Sequence, residues 1–298
     1  MKVSAIIPAR NEIFLAKTID DLFAKAKGEL EVVAVLDGYW PDPPLKERPG
    51  LVILHKGEAQ GMREAENSAT AIATGDFLLK CDAHCMFGEG YDEILKAECD
   101  YGQVVVPRRV SLEPEKWEIA NTGKSPVDAH FLCWPWGGPD SRGGFHQGLH
   151  GQVWKERAYN NRDILFDDEM SSQGSCWFMR KKHFMDHLFP LDTMLYGNFI
   201  QEFQEIGLKT WLGGGACKIQ KKTWYAHLHK GKTYGRMWPA NRRDFSDGLI
   251  KSMYYWMNNR WAERKYDITW LVEKFWPVPT WPENWQEQLP ELLKQEPK

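Results

Sequence analysis

Gly75-Asp-Phe-Leu-Leu-Lys-Cys-Asp-Ala-His-Cys85 is the stretch from which the rest of the chain is read. Phe77, Leu78 and Leu79 form an apolar run of strand length that breaks off at Asp82-Ala83-His84. Residues two apart in an extended chain point the same way, so this carboxylate and this imidazole are expected to converge on one point. An oxygen and a nitrogen ligand suit a divalent ion such as Mn2+, or Mg2+, and ligands bind at the carboxyl ends of strands in open α/β sheets. The bland alternative is an Asp and a His that cap a turn, and Asp-x-His alone does not separate the two.

Upstream, Val3-Ser-Ala-Ile-Ile-Pro8 predicts a strand, followed by an amphipathic helix with Phe14, Leu15, Ile19, Leu22 and Phe23 on its apolar positions and an end at Lys27-Gly28. Residues 31–36 predict a second buried strand that stops at Asp37-Gly38, and residues 51–54 a third. The small residues from Gly61 to Ala73 predict a helix that packs close to a sheet. Strand, helix, strand, strand, helix, strand amounts to an α/β domain of Rossmann-like, doubly wound type with a mostly parallel sheet. Neither GxGxxG nor GxxxxGK[ST] is present, so ordinary dinucleotide and P-loop readings lose ground.

The whole chain sets wider bounds. Its 298 residues suffice for a large domain with a buried core, and a net charge of -3 excludes wholesale polyanion binding through bulk charge while leaving local basic patches open. Six cysteines without CxxC pairing, and no apolar leader after Met1-Lys2, predict a reducing, cytoplasmic location. No run of eighteen apolar residues exists, so no membrane partner is expected. Most of the fifteen tryptophans follow Trp117, which points to something more specialised than core in the second half.

Downstream, residues 104–107 predict another strand. From Ser111 to about Asp168 apolar periodicity fades and Trp, Pro, Gly and His dominate, as expected of a long irregular region. His146 and His150 stand four apart there and read as loop histidines. Residues 245–272 are helical in pattern, residues 275–285 are expected to wrap back onto the body because their aromatic surface is costly to expose, and residues 286–298 are expected to fray.

Four blocks in this order, Ser4-Ala-Ile-Ile-Pro-Ala-Arg-Asn-Glu12, Val33-Ala-Val-Leu-Asp-Gly38, Gly61-Met-Arg63 with Asn67, and Gly75 to Cys85, resemble the nucleotide-sugar-binding half of GT-A glycosyltransferases, whose family 2 members share the order. The Asp-x-His form followed by Cys is similar to the polypeptide N-acetylgalactosaminyltransferases. The resemblance implies a GT-A fold and a UDP-sugar donor. By it Pro8, Arg10 and Glu12 border the nucleotide, Asp37 accepts a hydrogen bond from the uracil ring, Arg63 faces the sugar or diphosphate, and Asp82 and His84 hold Mn2+ against the diphosphate. A metal and a guanidinium together neutralise charge on departing UDP. For Arg63 a surface charge paired with Glu64 or Glu66 stays open, and for Asp37 a plain Asp-Gly turn.

The later blocks extend the resemblance. Met170-Ser-Ser-Gln-Gly-Ser-Cys-Trp-Phe-Met179 resembles the glycine-containing segment that supports the donor sugar, which puts Gln173 and Gly174 near it. Residues 196–207 are similar in place to the Trp-Gly-Gly-Glu helix of the N-acetylgalactosaminyltransferases. Asn198 and Gln201 stand where acids are expected, and Glu202 and Glu205 are offset, so these two are catalytic candidates without one base being named. Their alternative is the wet face of a short helix. His227 matches the third metal ligand, and His229 shares its face if the segment is extended. Tyr234 and Arg236, with Trp238, match a loop that closes over the donor in related enzymes, or else form a solvated cationic loop. The Asp-x-His and late-His pair implies retention of configuration.

The expected organisation is a GT-A catalytic domain over 1–232 and a lid with a helical, Trp-rich C-terminal extension over 233–298. Within the first, 1–110 is the nucleotide-sugar half, 111–169 the irregular acceptor-side insertion and 170–232 the sugar and acceptor half. Basic residues interleaved with aromatics from Lys218 onward suit phosphates and an extruded base. The chain also looks like stand-alone family 2 transferases of tailed bacteriophages, which implies action on 5-hydroxymethylcytosine in phage DNA inside an infected bacterial cell. A surface glycan or protein Ser/Thr is the alternative acceptor. A nucleotide-sugar- or DNA-binding module without turnover, and a nucleotidyltransferase, are the rivals of other classes.

Overall fold

The computed structural model describes residues 1–139, 145–196, 200–235 and 242–296. Strand β1 (Val3–Ala9) leads into helix α1 (Leu15–Lys25), then β2 (Leu30–Asp37), β3 (Leu51–Lys56), α2 (Met62–Ile72) and β4 (Phe77–Cys81). After a turn come β5 (Cys85–Phe87), α3 (Tyr91–Glu98) and the long β6 (Gln103–Glu113). Helix α4 (Lys155–Asn160) and β7 (Phe166–Asp168) precede β8 (Cys176–Arg180), α5 (Lys181–His187), α6 (Glu202–Leu212) and β9 (Ala216–His227). The chain finishes with α7 (Gly231–Tyr234), α8 (Arg242–Met257), α9 (Ile268–Lys274) and α10 (Trp285–Leu293).

The main sheet runs β7-β9-β6-β8-β4-β1-β2-β3. Strands β3, β2, β1 and β4 pair in parallel, as do β6 and β9, while β8 lies antiparallel between β4 and β6. Six long strands therefore share one direction, the mostly parallel doubly wound arrangement expected. Helices cover both faces, so strand residues such as Phe77, Leu78, Leu79 and Val32 to Val35 are fully buried. Each such side chain contributes about 1.5–3 kcal/mol. Helix α2 packs on the sheet through Ala65, Ala69 and Ala73, as its small residues require for close approach.

One consequence of parallel pairing is that the carboxyl ends of β1, β2 and β4 line up along a single edge, with Ala9 beside Leu36 and Ile6 beside Lys80. Strand β5 then turns back to pair antiparallel with β9, placing Cys85 opposite His227. Helix α1 pins it, because Cys85 N–H donates to Thr18 Oγ1 (3.1 Å) and Phe87 N–H to Asp21 Oδ2 (2.7 Å).

Several expectations change. β4 ends directly before Asp82, as expected, but Ala83-His84 is a turn and not extended chain, so Asp82 and His84 converge because the chain reverses rather than through two-residue alternation. The 111–168 stretch holds α4, β7 and short strand pairs, including His130–Leu132 with Gly151–Val153. The helical pattern of 245–272 is interrupted between Met257 and Ile268, where Asn259 adopts φ 52°. Residues 286–293 continue α10 instead of fraying, held by Trp285 and Leu289. The wrapped tail is as expected: Trp281 Nε1–H donates to Leu132 O at 2.7 Å. Trp134, Trp154, Trp177, Trp211, Trp256, Trp261, Trp281 and Trp285 are buried core, which removes the inference of a specialised aromatic surface from their number. Apolar burial outweighs display for so large a side chain.

Candidate active site

At the strand-end edge, Asp82, His84 and His227 offer one ligand atom each, all within 4.8 Å of one another. His227 Nε2 lies 3.2 Å and His84 Nε2 3.8 Å from Asp82 Oδ2, and the two rings are 5.0 Å apart. The β5–β9 pairing sets this spacing, reinforced by Leu228 N–H donating to His84 O at 3.2 Å. Burial drives the His227 imidazole down to about 3, so it is neutral at ordinary pH. Burial works to raise Asp82, but Lys80, His227 and His84 outweigh it and hold the carboxyl far below the usual range. An ionised carboxylate beside the neutral imidazole of His227, with the His84 ring next to it, is a donor set for a divalent ion such as Mn2+. His227 Nδ1 is buried and finds no hydrogen-bond partner among the described residues.

His229 is exposed and packs edge-on to His227 at 4.9 Å, because β9 ends at His227 and the strand no longer carries both rings. Glu12 follows the left-handed Asn11 (φ 52°). Its Oε2 lies 3.2 Å from His84 Nδ1, and Lys230 donates to its Oε1. Burial works to raise Glu12, yet His84 and Lys230 hold it below the ordinary glutamate range. Pro8 and Arg10 stand half-buried around the end of β1.

Asp37 is buried at the end of β2, and its two oxygens accept the N–H groups of Gln60 (2.7 Å) and Gly61 (2.9 Å). It therefore fastens the loop that enters α2. Gly38 serves the same joint: its φ is 75°, and a Cβ would stand 2.6 Å from Ala59 N.

Behind the edge lies a buried charge cluster. Lys80, fully buried on β4, donates to Asp82 Oδ1 (3.0 Å), Glu202 Oε2 (2.9 Å) and Gly174 O. Burial opposes its charge, but Asp82, Glu202 and Glu66 outweigh that and raise the ammonium well above its usual value. Glu66 is 3.6 Å from Lys80, and its carboxyl is pushed above the ordinary glutamate range, first by burial and then by Glu202. Glu202 also accepts from Trp177 Nε1 at 2.6 Å. A Cβ at position 174 would meet Glu202 Oε2 at 2.5 Å, so Gly174 is the space in which that carboxylate sits.

Arg63 is buried, pairs with Glu205, donates to Ile200 O at 3.0 Å and stacks on Tyr196 at 4.1 Å. Neither the surface pairing with Glu64 or Glu66 nor an outward-facing guanidinium is what the structure shows. Glu205 also accepts from Lys209 (2.8 Å) and from Asp192 N–H (2.9 Å). Glu202 and Glu205 are thus interior counter-ions, not the wet face of a helix, because α6 is buried nearly all round. Gln201 is tied to Leu149 O (2.6 Å) and Ser252.

Gln173 is half-buried and its Oε1 has no partner among the described residues. Tyr234 donates to Glu115 Oε1 (2.8 Å) and packs on Phe14. Arg236, Trp238 and Asn198 lie outside the described residues, as does the side chain of His146. His150 Nε2 lies 3.0 Å from Gln147 O. Sequence reasoning missed Lys80, Glu66, Trp177 and Lys230. A lysine inside an otherwise apolar strand, two residues before Asp82, was the available signal for the first.

A cavity of about 960 Å3 beside Met1, Asp76, Tyr101 and Arg180 contains none of these residues. It opens where β1 begins, at the opposite end of the sheet from Asp82.

The family described as Glycosyl transferase family 2 matches residues 4–188. A Drosophila melanogaster protein bearing the name polypeptide N-acetylgalactosaminyltransferase 13 is 24% identical over 273 residues, which is 82% of this chain and 44% of that protein. The chain thus spans under half the length of this curated relative. Among solved structures, GalNAc-T7 with UDP, GalNAc and Mn2+ superposes with a TM-score of 0.63 at 14% identity, covering 98% of this chain and 55% of that one. TarS 1–349 of S. aureus with UDP-GlcNAc gives 0.58 at 15% identity, covering 91% and 69%. The fold is the GT-A fold expected from the sequence.

Proposed function

This chain belongs to glycosyltransferase family 2, and on that footing we propose that it moves a sugar from a UDP-sugar to an acceptor hydroxyl with the help of a divalent cation. The observation that carries this reading is the convergence of Asp82, His84 and His227 at the carboxyl ends of parallel strands. A Mn2+ or Mg2+ ion would be held by Asp82 Oδ2 and the two Nε2 atoms, and when bound it supplies positive charge to the departing diphosphate. The chain's own residues do the rest. Lys80 keeps Asp82 ionised and in place, Asp37 fixes the entry to α2, and Pro8 and Arg10 border the nucleotide along the same edge. Gln173, whose carbonyl oxygen has no partner among the described residues and which stands next to Gly174, is assigned to the donor sugar. Tyr234 and Arg236 are assigned to a lid over the donor. The interior pairing of Glu202, Glu205 and Arg63 speaks against any of them as the group that moves a proton.

For the acceptor we assign 5-hydroxymethylcytosine in phage DNA. The support is the run of cations beyond the Lys230 that pairs with Glu12, namely Lys232, Arg236, Arg242 and Arg243, which suits a phosphate backbone. The buried tryptophans lend this no support. Protein Ser/Thr is the second reading, favoured by the name of the Drosophila relative.

The test incubates the protein with Mn2+, a mixture of UDP-sugars and duplex DNA containing 5-hydroxymethylcytosine, then weighs the digested nucleosides. A hexose or N-acetylhexosamine added to the modified base, absent with unmodified DNA and with His84→Ala, is the expected result. UDP release without DNA transfer removes the DNA assignment and turns the test to Ser/Thr peptides and glycans. Absence of both transfer and UDP release overturns the transferase reading in favour of a binding module.

A further inference from the structure

We infer that Glu12 is a positioning residue for the cation site, holding His84 in the tautomer that carries its proton on Nδ1 and offers Nε2 to the ion. The inference rests on the cation reading above. A neutral imidazole has one N–H and one lone pair, and an ionised carboxylate only accepts. With Glu12 Oε2 3.2 Å from His84 Nδ1, the proton belongs on Nδ1, and the lone pair then sits on Nε2, the atom 3.8 Å from Asp82 Oδ2. A carboxylate in this place also makes the ligating nitrogen more basic.

Three features make this a built arrangement. Glu12 and His84 are both largely shielded, with side chains 10% and 11% exposed, so water competes little for the bond. Lys230 holds the other carboxylate oxygen, which stops Glu12 from swinging away. Asn11 in the left-handed region turns the chain after β1 so that Glu12 meets a residue 72 positions later. His227 has no counterpart to Glu12 among the described residues, since its Nδ1 is buried without a partner. The two histidines are therefore oriented differently: His84 from behind by a carboxylate, His227 from the front by Asp82.

The test uses the full chain, freed of metal, with thermal melting to show that each variant is folded. In a long-range 1H–15N spectrum at pH 8, His84 is expected as the Nδ1–H tautomer, changing to a mixture or to Nε2–H in Glu12→Ala. In Mn2+ titrations by calorimetry, Glu12→Asp keeps the charge but is one methylene too short to reach Nδ1. It is expected to bind about tenfold more weakly than the unaltered chain. If Glu12→Asp binds as well as the unaltered chain while Glu12→Gln binds weakly, the carboxylate acts through space and positioning is overturned. An Nε2–H tautomer in the unaltered chain overturns it equally. If the unaltered chain binds no Mn2+, the cation reading fails, and the tautomer spectrum still decides what Glu12 does to His84.

Discussion

Two sets of ionisable residues meet at Asp82, beyond the carboxyl end of β4, and they are bonded in opposite ways. The edge set of Asp82, His84 and His227 is under-bonded: the Asp82 side chain is 25% exposed, and among the described residues Nε2 of His84 has the 3.8 Å approach to Asp82 and Nδ1 of His227 has no partner. The interior set of Lys80, Glu202, Arg63 and Glu205 is at most 3% exposed, and each charge has an opposite charge in contact. Spare ligand capacity at an accessible edge suits binding, and mutual compensation in the interior suits structure. Asp82 belongs to both, giving Oδ1 to Lys80 and Oδ2 to the histidines.

The contrast is broken most directly at Asp82. Asp82→Asn removes the charged ligand, and kcat/KM for UDP release is expected to fall about 10^3-fold, equivalent to about 4 kcal/mol. Little change in activity would dissolve the distinction. Next, Lys80→Met leaves Glu202 and Asp82 uncompensated, and urea denaturation should show a loss of about 3–5 kcal/mol. Adding Glu202→Gln should return part of it, because the stranded charge is gone.

A smaller effect is expected from Glu205→Gln, which keeps an acceptor for Arg63 but not its counter-charge. Stability should drop by about 2 kcal/mol, with kcat within about tenfold at a temperature where the variant is folded. A collapse of kcat there would make Glu205 a participant in the reaction and not a counter-ion.

A last test is pH, whose effect vanishes above the ordinary histidine value, and it probes histidines outside the edge. Burial, and then Arg109, drives His130 down to about 3, while burial and then His187 drive His183 down to about 4. Both are neutral in the fold and take up a proton on unfolding below the ordinary histidine value of about 6.5. Their contribution is complete above that pH and is lost as pH falls toward 4 and 3. Each costs up to about 1.4 kcal/mol per pH unit in that window. His183 Nε2 lies 3.2 Å from Thr210 Oγ1, and His183→Gln, which places an amide near that position, should flatten the acid side of the stability curve measured by denaturant titration; an unchanged slope would mean that His183 is not among the groups responsible.

Much of this was legible because it is local. Apolar runs of strand length, the spacing of Leu15, Ile19 and Leu22, and the small residues of α2 follow from which side of an element meets water, and each can be read within a dozen residues. Asp82 and His84 were legible as ligand types at a strand end, and His227 through resemblance, although the turn that joins Asp82 to His84 was read as extended chain. The tail helix α10 was missed because its anchor Trp285 packs on Trp281, which is itself seated against Trp134 and Leu132 far away in the chain, and no local pattern records that seat.

By itself, then, the sequence determined the order and kind of the elements, the α/β class and the chemical types at the strand-end edge. Only the tertiary structure decided partnership. His227 meets Asp82 across 145 positions, Glu205 meets Arg63 across 142 and Glu202 meets Lys80 across 122. The reason is physical: the sequence pattern reports how each residue partitions between water and core, whereas which carboxylate answers which cation depends on distances of a few ångströms that exist only after the strands have paired.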